Sequence, residues 1–99
     1  MDESDGVGAS VVRRTLEIVN PRGLHARASR KLAELALRYD AQILVRREDG
    51  EADATSLMDL MMLGAGLGSE IEVSAQGPDR EAAVEAIAVL VADGFGERD

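Results

Sequence analysis

The chain has 99 residues, 45% hydrophobic and 30% charged, with 11 Lys and Arg against 19 Asp and Glu for a net charge of −8. It holds no Cys, no Trp, one Tyr, one Phe and one His, which excludes a disulfide framework, a thiol nucleophile, a Cys- or His-rich metal site and an aromatic platform for stacked bases. The acidic balance argues against nucleic acid as a partner, no apolar run approaches the ~20 residues that would insert in a membrane, and the acidic start Met1-Asp2-Glu3-Ser4-Asp5 has no signal-peptide pattern, so a cytoplasmic protein is expected.

Residues 1–10, Asp, Glu, Ser and Gly with few apolar groups, read as a mobile acidic tail ahead of one domain over 11–97. From Val12 to Val19 the residues Val12, Leu16 and Ile18 share one parity and Arg13, Thr15 and Glu17 the other, which predicts a half-buried strand. Asn20-Pro21-Arg22-Gly23 breaks it with loop chemistry. Ala28, Leu32, Leu35, Ala36 and Tyr39 then recur at helical spacing, with Arg27, Arg30, Lys31, Glu34 and Arg38 mostly opposite. A second strand runs from Ala41 to Arg46, and Glu48-Asp49-Gly50-Glu51 predicts a hairpin turn into a short, weak strand over 51–54.

Ser56 to Leu63 reads as a short helix ended by Gly64-Ala65-Gly66-Leu67-Gly68. That glycine run follows a helix and leads into a strand, the reverse of a dinucleotide fingerprint, so it is a cap and loop. Ile71, Val73 and Ala75 alternate with Glu72, Ser74 and Gln76 as a further strand. Gly77-Pro78-Asp79 opens a last helix with Val84, Ile87, Ala88 and Val91 as its apolar stripe, acidic Asp79 and Glu81 at its start, and Gly94 at its end. The order βαββαβα implies α+β: one four-stranded antiparallel sheet with helices on a single face.

Charge is unevenly spread: −3 over residues 1–10, +6 over 11–47 and −11 over 48–99. The basic segment contains His25, in Gly23-Leu24-His25-Ala26-Arg27-Ala28-Ser29. With His25 at the N-cap, the amides of Ala26, Arg27 and Ala28 form the positive pole of a helix, a site suited to an anion, with the Arg27 guanidinium nearby. An imidazole, whose ordinary pKa is about 6.5, is a neutral nucleophile at pH 7. The grouping suits transient phosphoryl transfer, where positioning and charge stabilisation supply most of the catalysis. The bland alternative is a surface His at a helix start.

Gly23-Leu24-His25-Ala26-Arg27, preceded by Asn20 and followed about thirty residues on by Ser56-Leu57-Met58-x-Leu60-Met61-x-Leu63-Gly64, closely resembles the HPr phosphocarriers of the phosphoenolpyruvate-dependent phosphotransferase system. The closing Gly94-Phe95-Gly96-Glu97 is similar too. The resemblance implies an open-faced β-sandwich with four strands and three helices. It implies that His25 accepts a phosphoryl group on its δ1 nitrogen from an enzyme I-type donor and passes it to an enzyme IIA-type acceptor, with Arg27 steadying it. It also implies regulatory phosphorylation of Ser56 by an HPr kinase. No cofactor and a monomer are expected. Leu57, Met58, Leu60, Met61, Met62 and Leu63 are too many apolar residues for the buried face of two turns, so some are expected in the core and the remainder exposed, with Leu57, Met58, Met61 and Arg30 as the partner-docking candidates.

Two departures bear on pathway. Ala28 stands where many relatives have Pro, which is similar to the nitrogen-related branch and favours a regulatory phosphorelay over sugar uptake. Asp59 stands where Gly is frequent, on the expected docking surface. Ser56 and Asp59 also fit the S-x-x-D capping box, a structural role needing no modification. An acyl carrier protein, the other small acidic carrier with a Ser-Leu-Met helix start, would need Asp at Thr55 and an all-helical chain. A non-catalytic α+β interaction domain is the remaining alternative.

Overall fold

The computed structural model describes residues 10–97, so the expected acidic tail, Ser10 apart, lies outside the described residues. Its elements are β1 (Val12–Glu17), α1 (Ala26–Ala36), β2 (Gln42–Arg47), β3 (Gly50–Asp53), α2 (Leu57–Met62), β4 (Glu70–Gln76) and α3 (Arg80–Ala92), followed by a 3-10 turn at Gly94–Gly96. The strands form one antiparallel sheet in the order β1-β4-β2-β3. The last strand in sequence therefore lies between β1 and β2, a non-local arrangement that brings both ends of the fold together.

Alternation decides the faces. Ile43 and Val45 of β2, Ala52 of β3, and Ile71, Val73 and Ala75 of β4 turn inward and are buried, and the helices cover that side. Leu32, Ala28 and Ala36 of α1 and Val84, Ile87 and Val91 of α3 complete the core, with Leu60 and Phe95 closing its end. The opposite face carries Arg13, Gln42, Leu44, Arg46, Glu72 and Ser74. This is the α+β architecture and element order expected, an open-faced sandwich.

Several local expectations shift. β1 stops at Glu17, although Ile18 stays buried and still donates to Ser69 O at 2.9 Å. Arg14 shares the inward parity of Val12 and Leu16; at the sheet edge it reaches α3 and pairs with Glu85 at 3.1 Å. α1 ends at Ala36, because bonds from Arg38 N to Leu35 O and from Tyr39 N to Ala36 O tighten the next turn, leaving Tyr39 outside the helix. The hairpin turn is only Glu48-Asp49, with Gly50 already paired to Arg47. Asp79 is the N-cap of α3 but its side chain does not cap: Oδ2 accepts from Asp40 N at 2.7 Å, while Asp79 N donates to Asp40 O at 3.0 Å. That reciprocal pair fastens the start of α3 to the α1–β2 loop.

Candidate functional site

The loop from Asn20 to His25 is held so that α1 begins where the chain is anchored. Gly23 has φ +63, and a Cβ there would lie 2.2 Å from Ala65 O and 2.7 Å from Gly66 Cα, so only glycine permits the approach of the α2–β4 loop. That approach is sealed by Leu24 N donating to Ala65 O at 2.9 Å. Ser29, fully buried on α1, donates its hydroxyl to Leu24 O at 3.0 Å and locks the loop from the other side.

His25 is the N-cap of α1, with an extended backbone (φ −72, ψ −178). Its carbonyl accepts the first helical bond, from Ser29 N at 2.8 Å, and its ring does what a Ser or Asp side chain does elsewhere: Nδ1 accepts from Arg27 N at 3.3 Å. Nε2 is hydrogen-bonded to Glu97 Oε2. The other carboxylate oxygen, Oε1, accepts from Asn20 Nδ2 at 3.1 Å, and the same amide nitrogen donates to Gly23 O at 2.9 Å. Asn20 is buried, and its Oδ1 has no partner among the described residues.

This network fixes the tautomer. A carboxylate only accepts, so Nε2 carries the proton and donates it; Nδ1, facing an N–H donor, must present a lone pair. Bonding to His25 holds the Glu97 carboxyl below the usual glutamate range, against the opposing effect of burial, with the Asn20 bond and the Arg22 charge adding to the lowering. Glu97 reaches the site because the chain turns back after α3 through three successive left-handed residues, Gly94 (φ 63), Phe95 (φ 58) and Gly96 (φ 73). A non-glycine residue in that region costs about 1–2 kcal/mol, offset by full burial of the Phe95 ring, worth about 1.5–3 kcal/mol. Lys31 Nζ donates to Phe95 O at 2.6 Å and clamps the turn onto α1.

The expected phosphate-binding amides Ala26, Arg27 and Ala28 therefore do form the first turn beside the His25 ring. The Arg27 side chain is exposed, as is Arg30 one turn on. Sequence reading gave Asn20, Ser29 and Glu97 no role beyond their place in the motifs, and took Lys31 only as one of the basic residues clustered near His25. A polar residue placed directly after a strand, and a Gly-Phe-Gly turn near the end of a helix, were the available signals.

On α2, Leu60 and Leu63 are buried whereas Met58, Met61 and Met62 are exposed, at 64%, 39% and 80%. The division into core and exposed residues follows the expectation, with Met62 added and Leu57 half-buried. Ser56 is the N-cap, its Oγ accepting from Asp59 N at 3.2 Å. The reciprocal half of the capping box is absent: Ser56 N donates to Asp53 O, and the Asp59 carboxylate accepts from Asp53 N. Asp53 in turn accepts from the amide and hydroxyl of Thr55, which lowers its pKa. Among the described residues no group of three or more His, Cys, Asp or Glu converges as metal ligands, and no helix is long and apolar enough to cross a membrane.

Comparison with known proteins agrees with the site. Residues 12–93 match the family described as the PTS HPr component phosphorylation site. The phosphocarrier protein HPr of Cupriavidus necator is 42% identical over 87 residues, covering 88% of this chain and 98% of that protein. The phosphocarrier protein NPr of Escherichia coli is 45% identical, covering 87% and 97%. The crystal structure of an HPr from Thermoanaerobacter tengcongensis superposes with a TM-score of 0.85 at 35% identity, over 89% of this chain and 99% of that one. An anchored helix N-cap histidine, a family match spanning the whole sheet, and relatives named as phosphocarriers from both branches converge: the chain belongs to the HPr family, and its function is that of a phosphocarrier in the phosphotransferase system.

Proposed function

We propose that His25 Nδ1 is the atom that carries the phosphoryl group. The observation that supports this best is the orientation of the ring, with its protonated nitrogen bonded to Glu97 and its lone pair at the N-terminus of α1. In the forward step the Nδ1 lone pair attacks phosphorus, the bond from phosphorus to the donor's leaving group breaks, and the Nε2 proton stays in place. The ring becomes positively charged as the N–P bond forms, and the Glu97 carboxylate faces that charge. The phosphoryl oxygens replace the weak Nδ1 contact as acceptors for the amides of Ala26, Arg27 and Ala28, and the Arg27 guanidinium closes over them. Reversal of the same step delivers the group to the acceptor.

The donor is an enzyme I-type protein and the acceptor an enzyme IIA-type protein, working in the cytoplasm and docking on Arg30, Leu57, Met58 and Met61. Exposed, flexible Met side chains suit a surface that must fit two partners in turn. Relatives carry both the HPr and the NPr name; Ala28 after Arg27 favours the nitrogen-related, regulatory branch. Phosphorylation of Ser56 would place about −2 charge beside Asp53 and Asp59 on this docking helix, and would act there by repelling acidic partners.

The test is transfer from phosphoenolpyruvate through a donor enzyme, with IIA-type acceptors of both branches offered in parallel. Wild type is expected to acquire acid-labile, base-stable phosphate, which His25→Ala abolishes. Arg27→Ala and Glu97→Gln are expected to slow transfer about tenfold, the worth of one charge-assisted contact, with the fold intact. Labelling that survives His25→Ala would overturn the assignment.

A further inference from the structure

β1 is an edge strand, and among the described residues no strand pairs with its outer side. The bond from Ile18 N to Ser69 O extends the register that runs from Val12↔Ala75 to Glu17↔Glu70. Bonded and non-bonded pairs alternate in an antiparallel ladder, so Val12, Arg14, Leu16 and Ile18 bond to β4. Arg13, Thr15 and Glu17 therefore turn their N–H and C=O groups outward. The same alternation carried through β4 and β2 makes Ile43 and Ala54 a bonded pair, and Ala54 N does donate to Ile43 O at 3.0 Å.

An edge of this kind is usually blunted by Pro, a bulge or charged side chains; β1 has the sequence Val-Arg-Arg-Thr-Leu-Glu, with no Pro and an unbroken register, and of its charges Arg14 is already paired with Glu85. Its side chains are instead complementary to themselves. When two copies of β1 are set antiparallel with Thr15 opposite Thr15, outward backbone groups meet outward groups. Arg13 then falls opposite Glu17 of the second copy, and by symmetry the pair occurs twice. Arg13, Thr15 and Glu17 are all exposed, on the sheet face away from the helices. A slip of two residues either way breaks both charge pairs, so the register is specified. One step beyond the strand, the same register sets Val11 opposite Val19, which is 46% exposed. On the helix side Arg14 ties the edge to Glu85, and Val89, one turn further along α3, is 60% exposed.

We infer that the outer edge of β1 is an interface for a second copy of this chain, formed by antiparallel β1–β1 pairing about Thr15 into one eight-stranded sheet. Such a contact adds main-chain hydrogen bonds and charge pairs rather than a large apolar area, so association is reversible and rises with concentration. The monomer expected from the sequence is its dilute end. Asn20 and His25 follow the C-terminal end of β1, so the two phosphoryl sites lie at opposite ends of the joined strands and both stay open.

Sedimentation of the full chain over a concentration series tests this. Wild type is expected to self-associate, more weakly as salt screens the charge pairs. Arg13→Glu sets carboxylate against carboxylate and Glu17→Arg sets guanidinium against guanidinium; each is expected to weaken association about tenfold. Mixed together, the two variants become complementary and are expected to form a heterodimer, and both changes in one chain restore the homodimer. Thr15→Pro removes the central outward N–H while taking nothing from the β4 ladder, and is expected to leave a folded monomer. A wild type that stays monomeric at the highest concentration it tolerates overturns the inference. So does a mixture that associates no better than its components.

Discussion

Replacing Gly23 by Ala tests whether the loop contact beneath His25 is as tight as its geometry states. An L-residue at φ +63 costs about 1–2 kcal/mol. The new Cβ would also stand 2.2 Å from Ala65 O and 2.7 Å from Gly66 Cα, both backbone atoms, so one loop must retreat by about 1 Å to reach ordinary contact. That retreat strains the packing and stretches the 2.9 Å bond from Leu24 N to Ala65 O, adding about 2–3 kcal/mol. The expected loss is about 3–5 kcal/mol, a large share of the stability of a domain this size. In urea the unfolding midpoint falls by about 2 M or more. Two neighbours divide the effect into its parts. Gly64 has φ +65 and nothing within 4 Å, so Gly64→Ala carries the backbone cost alone, about 1–2 kcal/mol. Gly66 has open space and no left-handed φ, so Gly66→Ala should stay within about 0.5 kcal/mol of wild type. A Gly23→Ala midpoint equal to that of Gly64→Ala would refute the close approach.

Asp79→Ala removes the acceptor for Asp40 N and is expected to destabilise by about 1 kcal/mol in urea, with phosphoryl transfer unchanged because the contact lies away from His25. The Glu97 carboxyl has a lowered pKa in the folded state, so its contribution to stability is complete above the ordinary glutamate value of about 4.3 and is lost as pH falls through the lowered one. Urea midpoints of wild type and Glu97→Gln should therefore differ at pH 7 and converge as pH falls below about 4; a difference that persists unchanged at pH 3 would contradict the carboxylate's role.

What could be read from the sequence was what sequence neighbours decide. Period-two alternation located Ile71, Val73 and Ala75 on the buried face of β4, and the surplus of apolar residues on a two-turn helix already implied that some of them, Met58 and Met61 among the candidates, would be exposed; which of the others are core, Leu60 and Leu63, came from the structure. His25 at a helix start was legible because the cap position is defined by its own loop. What was not legible depends on partners far along the chain. Glu97 meets His25 across 72 residues and Asn20 across 77, and no local pattern announces a carboxylate delivered by a turn after the last helix. Arg14 fell on the apolar parity because its partner, Glu85, belongs to another element. The placement of β4 between β1 and β2 is invisible to any window reading, yet it sets which strand is left as the edge.

A carrier differs from a turnover enzyme in what its site must avoid. Were the phosphoryl group held by buried charges, leaving it would cost as much as accepting it had gained, and the acceptor would receive it slowly. On the side of the ring where Nδ1 lies, the groups of fixed position are the neutral amides of the first turn of α1, and the Arg27 guanidinium is on an exposed side chain. The rigid part of the site is instead behind the ring. Asn20, Glu97, the Gly94–Gly96 turn and the Lys31 clamp hold Nε2 in one protonation state while leaving Nδ1 at the surface. On the proposed mechanism this division keeps the nucleophile ready without trapping the product: preorganisation is spent on the side of the imidazole that never bonds to phosphorus. It also explains why the turn carries a strained Phe95. The strain lies on the Glu97 side of the ring, away from the lone pair of Nδ1, and is compensated by core burial.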